Sequence, residues 1–214
     1  PDDPWFIAFN LYARRRGTVR PDEIILVLAH KDSQSWIASP GANDNAIGTA
    51  GVLEIGRVLS GYDSARSIWL LFCNEEHTPW TSVYAAQAAS QRGDNIIAVI
   101  NLDGIGRKSP EDARAGRKCN VTVYTTEEGK QLANLMCRLV RELEIPLQQT
   151  TYARDRPGDD EGSFIKAGYR AAIMNIGSYP YADPCYHSEC DVPGNCDFQN
   201  AALAVQATIA LIVH

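Results

Sequence analysis

Apolar residues in this chain fall in short unbroken runs rather than long alternations. Ile24 to Ala29, Ile68 to Cys73, Ile96 to Leu102 and Ala171 to Ile176 are of this kind. Such a run, bounded by turn residues, predicts a strand buried on both faces. Between the runs the period becomes helical. Ile47, Val52, Ile55, Val58 and Leu59 are apolar and Gly61 follows, which predicts a helix over Ala46 to Leu59 with a glycine stop. Trp80 to Arg92 is Ala-rich and reads as a helix. Thr126 caps a helix from Glu127 to Leu143, Ser163 to Ala167 forms a short one, and Phe198 to Val213 closes the chain. Trp5 to Arg14 and Val121 to Thr125 read as further strands. Gly106 to Lys118, Arg154 to Gly162 and Gly177 to Asn195 read as loops, the first of them the most mobile. Strands alternating with helices predict an α/β three-layer sandwich, with a central mixed, mostly parallel sheet and helices on both faces.

Composition narrows the class. The chain has 214 residues, a length that predicts a single domain over 1–214 with a large core. The net charge of -6 lacks the basic footprint that a nucleic-acid partner requires. No run predicts a membrane span; the most apolar stretch, Ala201 to Val213, is short and interrupted by Gln206 and Thr208. The chain opens on Pro1 with no visible signal peptide, which reads as a mature or trimmed product. Among the 6 cysteines, Cys185, Cys190 and Cys196 crowd together, but without the paired C-x2-C spacing of a structural zinc site. A disulfide stapling a loop is the better reading, its pairing open among Cys119, Cys137, Cys185, Cys190 and Cys196. It implies an oxidising compartment, hence a secreted or envelope protein. Cys73, inside an apolar run, reads as a buried thiol.

In α/β sheets the site lies at the carboxyl ends of the strands. Each apolar run here ends on chemistry. His30 closes the first, with Asp32 on the same side by the period of two. Asn74-Glu75-Glu76 follows the second, Asp103 the third, and His187 lies in the loop after the fourth. Ser39 to Ala46 is a turn punctuated by Pro40 and Gly41, and its Asn43, Asp44 and Asn45 are more polar side chains than one helix cap needs. Alone, each has an ordinary reading: a strand-end histidine, a solvated acidic pair, a turn, a cap. As a set they compose a two-metal site. Divalent ions such as zinc take carboxylate oxygen and imidazole nitrogen, and two ions about 3.5–4 Å apart are held by a shared carboxylate. Asp44 would be shared, His30 and Asp103 would serve one ion, and Glu76 and His187 the other. Glu75 is left as the general base for a bridging water. Asp32 would accept the second ring nitrogen of His30.

His30-Lys31-Asp32-Ser33, Pro40-Gly41-Ala42-Asn43-Asp44-Asn45, Asn74-Glu75-Glu76, Asn101-Leu102-Asp103 and Tyr186-His187-Ser188 resemble the five motifs of the co-catalytic di-zinc aminopeptidases. That family also includes glutamate carboxypeptidase, glutaminyl cyclase and the transferrin receptor ectodomain. The similarity runs from about Ile24 to the C-terminus. It implies a zinc-exopeptidase-like fold, two zinc ions on the ligands named, Glu75 as base, and Tyr186 donating to the tetrahedral oxyanion. It also implies a cis peptide after Asp44. The chain departs from the family at Asn43, usually Asp, and at Lys31, usually aromatic. It departs again at the bulky His77-Thr78-Pro79-Trp80, and at Asp159-Asp160-Glu161, where Ser-Asp-His is common. The usual N-terminal helices are absent or shortened.

The function implied is a zinc aminopeptidase cleaving the N-terminal bond of peptides. Asp159, Asp160 and Glu161 are candidates for holding the free amine, and the loop around His187 for lining the specificity pocket. Two alternatives stand beside it. One is a glutaminyl-cyclase-like acyltransferase, whose relatives carry Trp and Ser where Tyr186 and Asn45 stand. The other is a metal-free receptor-like binding domain, a branch that has lost ligands present here. Carboxypeptidase and dipeptidase action are left open by the sequence.

Overall fold

The structure is a computed structural model that describes residues 9–33, 35, 37–74 and 80–214. In chain order its elements are β1 (Leu11–Arg15), β2 (Arg20–His30), α1 (Ile47–Leu59), β3 (Arg66–Cys73), α2 (Thr81–Arg92), β4 (Ile96–Leu102), α3 (Pro110–Arg114), β5 (Cys119–Tyr124), α4 (Glu127–Glu142), β6 (Gln148–Ala153), α5 (Asp159–Lys166), β7 (Ala172–Ile176) and α6 (Phe198–Val213). The strands form one 7-stranded sheet in the order β1-β3-β2-β4-β7-β5-β6. β1 with β3 and β5 with β7 are antiparallel; every other neighbouring pair is parallel.

Period-two geometry shows how the apolar runs serve both faces. Ile25, Val27 and Ala29 of β2 belong to one buried cluster with Val52 and Ile55 of α1, Met136 of α4 and Ala204 of α6. Ile24, Leu26 and Leu28 turn the other way, onto Ala85, Ala86 and Ala89 of α2 and Phe164 of α5. Val27 and Leu28 are 0% exposed, and each such side chain contributes about 1.5–3 kcal/mol of burial. The three layers and mixed sheet expected from the runs are therefore present.

Three elements differ from the sequence expectation. β6 was unexpected: Gln148-Gln149-Thr150-Thr151-Tyr152-Ala153 has no apolar run, because it is an exposed sheet edge. The stretch Gly106 to Lys118 is not a plain loop. Ser109 caps α3 by accepting from the Asp112 N–H, with Pro110 in the first turn. α5 starts at Asp159, earlier than the Ser163 expected, since three acidic residues in the first turn suit a helix N-terminus. The expected strand over Trp5 to Arg14 lies partly outside the described residues.

Asp197 fixes the start of α6. Its Oδ1 accepts from the Asn200 N–H at 3.0 Å, and its Oδ2 accepts from Lys108 Nζ at 2.5 Å and Lys118 Nζ at 2.6 Å. Burial opposes the charge, but the two ammonium groups and the N–H outweigh it and hold the carboxyl well below its ordinary value. Asp197→Ala is expected to cost about 2–3 kcal/mol at pH 7, since it removes a cap and strands the buried Lys108. The depressed carboxyl contributes above the ordinary carboxylate range, and that contribution is lost as pH falls through and below it. Urea melts at pH 7 and pH 3 check this: the gap between wild type and variant should narrow at pH 3.

Candidate metal centre

β2 lies between β3 and β4, and the connections to them carry α1 and α2 on opposite faces. The strand order thus reverses at β2, and a crevice opens beyond its carboxyl end. His30 is the last residue of β2. Asp103 directly follows β4, where its N–H donates to Asn175 O at 3.0 Å.

The polar turn closes the crevice. Gly41 sits at φ 68, and a Cβ there would meet Ser33 Cβ at 2.4 Å and Asp44 O at 2.8 Å, so only glycine fits. The Asp44–Asn45 peptide is cis. Each polar side chain has its own partners. Asn45 Nδ2 donates to Leu102 O at 2.8 Å while its Oδ1 accepts from the Gly48 N–H at 3.0 Å, tying the end of β4 to the start of α1. Asn43 Oδ1 accepts from the Gly106 N–H at 3.0 Å. The Asp191 carboxylate accepts from the Asn43 N–H at 2.8 Å and the Asp44 N–H at 3.1 Å. Asp44 is left to face the crevice.

There it meets two histidines. Its Oδ1 is 3.2 Å from His30 Nε2, and its Oδ2 is 3.0 Å from His187 Nε2. Asp103 Oδ1 is 3.7 Å from the same His30 nitrogen. Nδ1 of His30 faces Asp32 Oδ1 at 3.2 Å. His30, Asp44 and Asp103 are all buried, and each offers one ligand atom within 4.8 Å of the others. Burial works against charging His30, yet hydrogen bonds to Asp103, Asp32 and Asp44 outweigh it and hold its pKa well above the ordinary imidazole value. Burial pushes Asp103 up to about 6. This concentration of negative charge calls for a cation.

A cavity of about 210 Å³ adjoins the group, lined by the polar Asp44, Asp103, Arg154 and Asp159 and by the rings of Tyr179, Tyr181 and Tyr186. The Cys185–Cys190 disulfide closes a short loop that carries Tyr186 and His187. The Tyr186 ring stacks on His187 at 3.8 Å between centroids and meets the edge of Tyr181 at 4.7 Å. Cys73, Cys119, Cys137 and Cys196 are free thiols, and Cys73 is buried.

Of the sequence-predicted site residues, the structure brings together His30, Asp32, Asp44, Asp103, Tyr186 and His187. Glu75 and Glu76 lie outside the described residues, as do His77, Thr78 and Pro79. Of the amine-binding candidates, Asp159 lines the cavity. Glu161 instead turns inward, accepting from Arg154 Nη2 at 2.5 Å and Asn101 Nδ2 at 3.1 Å, and burial pushes its carboxyl up to about 8. Asp160 is likewise buried, at 1% exposure. Sequence reasoning missed Arg154, Asp183 and Asp191, which reach the site from segments without a periodic pattern.

A sequence profile of Peptidase family M28 matches residues 10–213. A probable zinc metalloprotease of Pyrenophora teres f. teres is 27% identical over 195 residues, which cover 76% of this chain and 40% of that protein. The probable aminopeptidase YDR415C of Saccharomyces cerevisiae is 24% identical, over 96% of this chain and 57% of that one. The crystal structure of the LapA aminopeptidase of Legionella pneumophila superposes with a TM-score of 0.80 at 17% identity, covering 95% of this chain and 54% of that one, which shows a shared fold. The chain thus spans about half the length of these relatives. With the family profile running almost from end to end over the fold and cluster described, the chain belongs to peptidase family M28.

Proposed function

We propose that this chain is the catalytic domain of a zinc-dependent aminopeptidase that hydrolyses the N-terminal bond of peptides. The observation that carries the reading is the position of Asp44, whose two oxygens face two different imidazoles at 3.2 and 3.0 Å. A carboxylate so placed is suited to two cations, one beside each histidine. The separations fit: two ligand atoms on one tetrahedral zinc, each bonded at about 2.0–2.1 Å, lie about 3.3 Å apart. His30, Asp44 and Asp103 would hold one zinc, and Asp44, His187 and Glu76 the other. When bound, the ions would supply Lewis acidity toward the scissile carbonyl and lower the pKa of a bound water.

The chain's own residues do the rest. Asp32 accepts the Nδ1–H of His30, which fixes the tautomer and turns the Nε2 lone pair toward Asp44 and Asp103. Glu75 takes the proton of the attacking water and returns it to the leaving amine. Tyr186, fixed by its stacking on His187, donates its hydroxyl to the developing oxyanion. The Tyr179, Tyr181 and Tyr186 rings receive the substrate side chain, and Asp159, which pairs with Arg154, is the acceptor for the free amine. Secretion belongs to the same proposal, since the Cys185–Cys190 bond suits an oxidising compartment.

Elemental analysis beside an aminoacyl-anilide assay tests this. Expected are about two zinc ions per chain and hydrolysis that a chelator abolishes and added zinc restores. A zinc-free preparation without hydrolysis would favour the receptor-like reading. Cyclisation of an N-terminal glutaminyl peptide without anilide hydrolysis would favour the acyltransferase.

A further inference from the structure

Asn43 stands where the resemblance leads one to expect a carboxylate, and the structure supplies the reason. Its Nδ2 donates to Asp183 Oδ2 at 3.0 Å and lies 3.4 Å from the Tyr181 hydroxyl. Asn43 is 0% and Asp183 8% exposed, so the contact is closed to solvent. Asp183 has a second duty. Its Oδ1 accepts from the Cys185 N–H at 2.8 Å, at the mouth of the disulfide loop, and from Arg107 Nε at 2.9 Å. One side chain therefore grips both the turn that aims Asp44 and the loop that carries His187. A carboxylate at position 43 would face Asp183 at about 3 Å, where burial keeps both from staying ionised and one must take up a proton.

We propose that Asn43 and Asp183 are a matched amide–carboxylate pair that sets the spacing between Asp44 and His187, with Asp183 a positioning residue for the metal centre. The inference rests on the zinc reading above, and it assigns the pair no contact with substrate. Its logic is reciprocal. With the two side chains exchanged, an amide at position 183 would donate to a carboxylate at position 43. The Oδ1 at position 183 would still accept from Cys185 and Arg107, and the Oδ1 at position 43 from Gly106. Every one of these hydrogen bonds survives the exchange, whereas Asp183→Asn alone sets two amide nitrogens face to face and Asn43→Asp alone sets two carboxyl groups face to face.

The test compares Asn43→Asp, Asp183→Asn and the double variant as purified holoenzymes. It measures zinc retention against a competing chelator, together with kcat and KM on an aminoacyl-anilide. Each single variant is expected to lose zinc about tenfold more readily and to lose kcat about tenfold, with KM changed less than about twofold; the double variant should return to within about threefold of wild type on both readouts. If a single variant fails to fold and the double one folds, that recovery is the same rescue. The pair is refuted if wild type holds zinc while the single variants behave like it, or while the two losses multiply in the double variant. A wild-type protein that holds no zinc refutes the metal reading instead, and this inference with it.

Discussion

Asp44→Ala is expected to give a folded protein with less than one zinc per chain and activity lower by at least about 10⁴-fold, equivalent to about 5 kcal/mol of barrier. The side chain of Asp44 faces His30 and His187, while its backbone N–H is held independently by Asp191 at 3.1 Å. Removing the carboxylate therefore leaves the turn anchored. What is lost is the group both cations would share, and with it the charge that allows two ions to sit close together. Thermal melts and elemental analysis of the same preparation separate the two effects. A variant that keeps two zinc ions and turnover within about tenfold would sink the bridging assignment.

The second large effect concerns Glu75. Glu75→Gln should retain both zinc ions and lose about 10³-fold in kcat, within the range that a positioned general base contributes. The amide preserves size and removes the capacity to take a proton. KM on an aminoacyl-anilide should change little, and the acidic limb of the kcat–pH profile should vanish with the base. Near-wild-type turnover would exclude Glu75 from proton transfer and move the search to other carboxylates beside the cavity, Asp159 first.

Much of this could be read before any coordinates. The four apolar runs are legible because a strand buried on both faces tolerates few polar residues, and β2, β3, β4 and β7 meet that condition. The strand-end rule then places His30 and Asp103 at one crevice, and their neighbourhood with Asp44 follows from the surplus of polar residues in a single turn. β6 escaped because an edge strand needs no apolar pattern, and the start of α5 because three acids read as a charged loop. Asp183 and Asp191 escaped for another reason. Their partners include backbone N–H groups and an amide far away in sequence, at Asn43 and Asp44, and no local periodicity encodes such a meeting. The departure at Asn43 was visible, but its meaning depended on Asp183.

The reversal of strand order at β2 bears on what holds the cluster together. His30 ends β2; Asp44, Asp103 and His187 follow β2, β4 and β7; and β7 is held in the sheet by β4 and β5. A fragment cut anywhere between Asp103 and His187 holds no complete set of these side chains. The proposed metal centre would therefore need both sides of such a cut docked in one sheet, and neither piece alone could carry it.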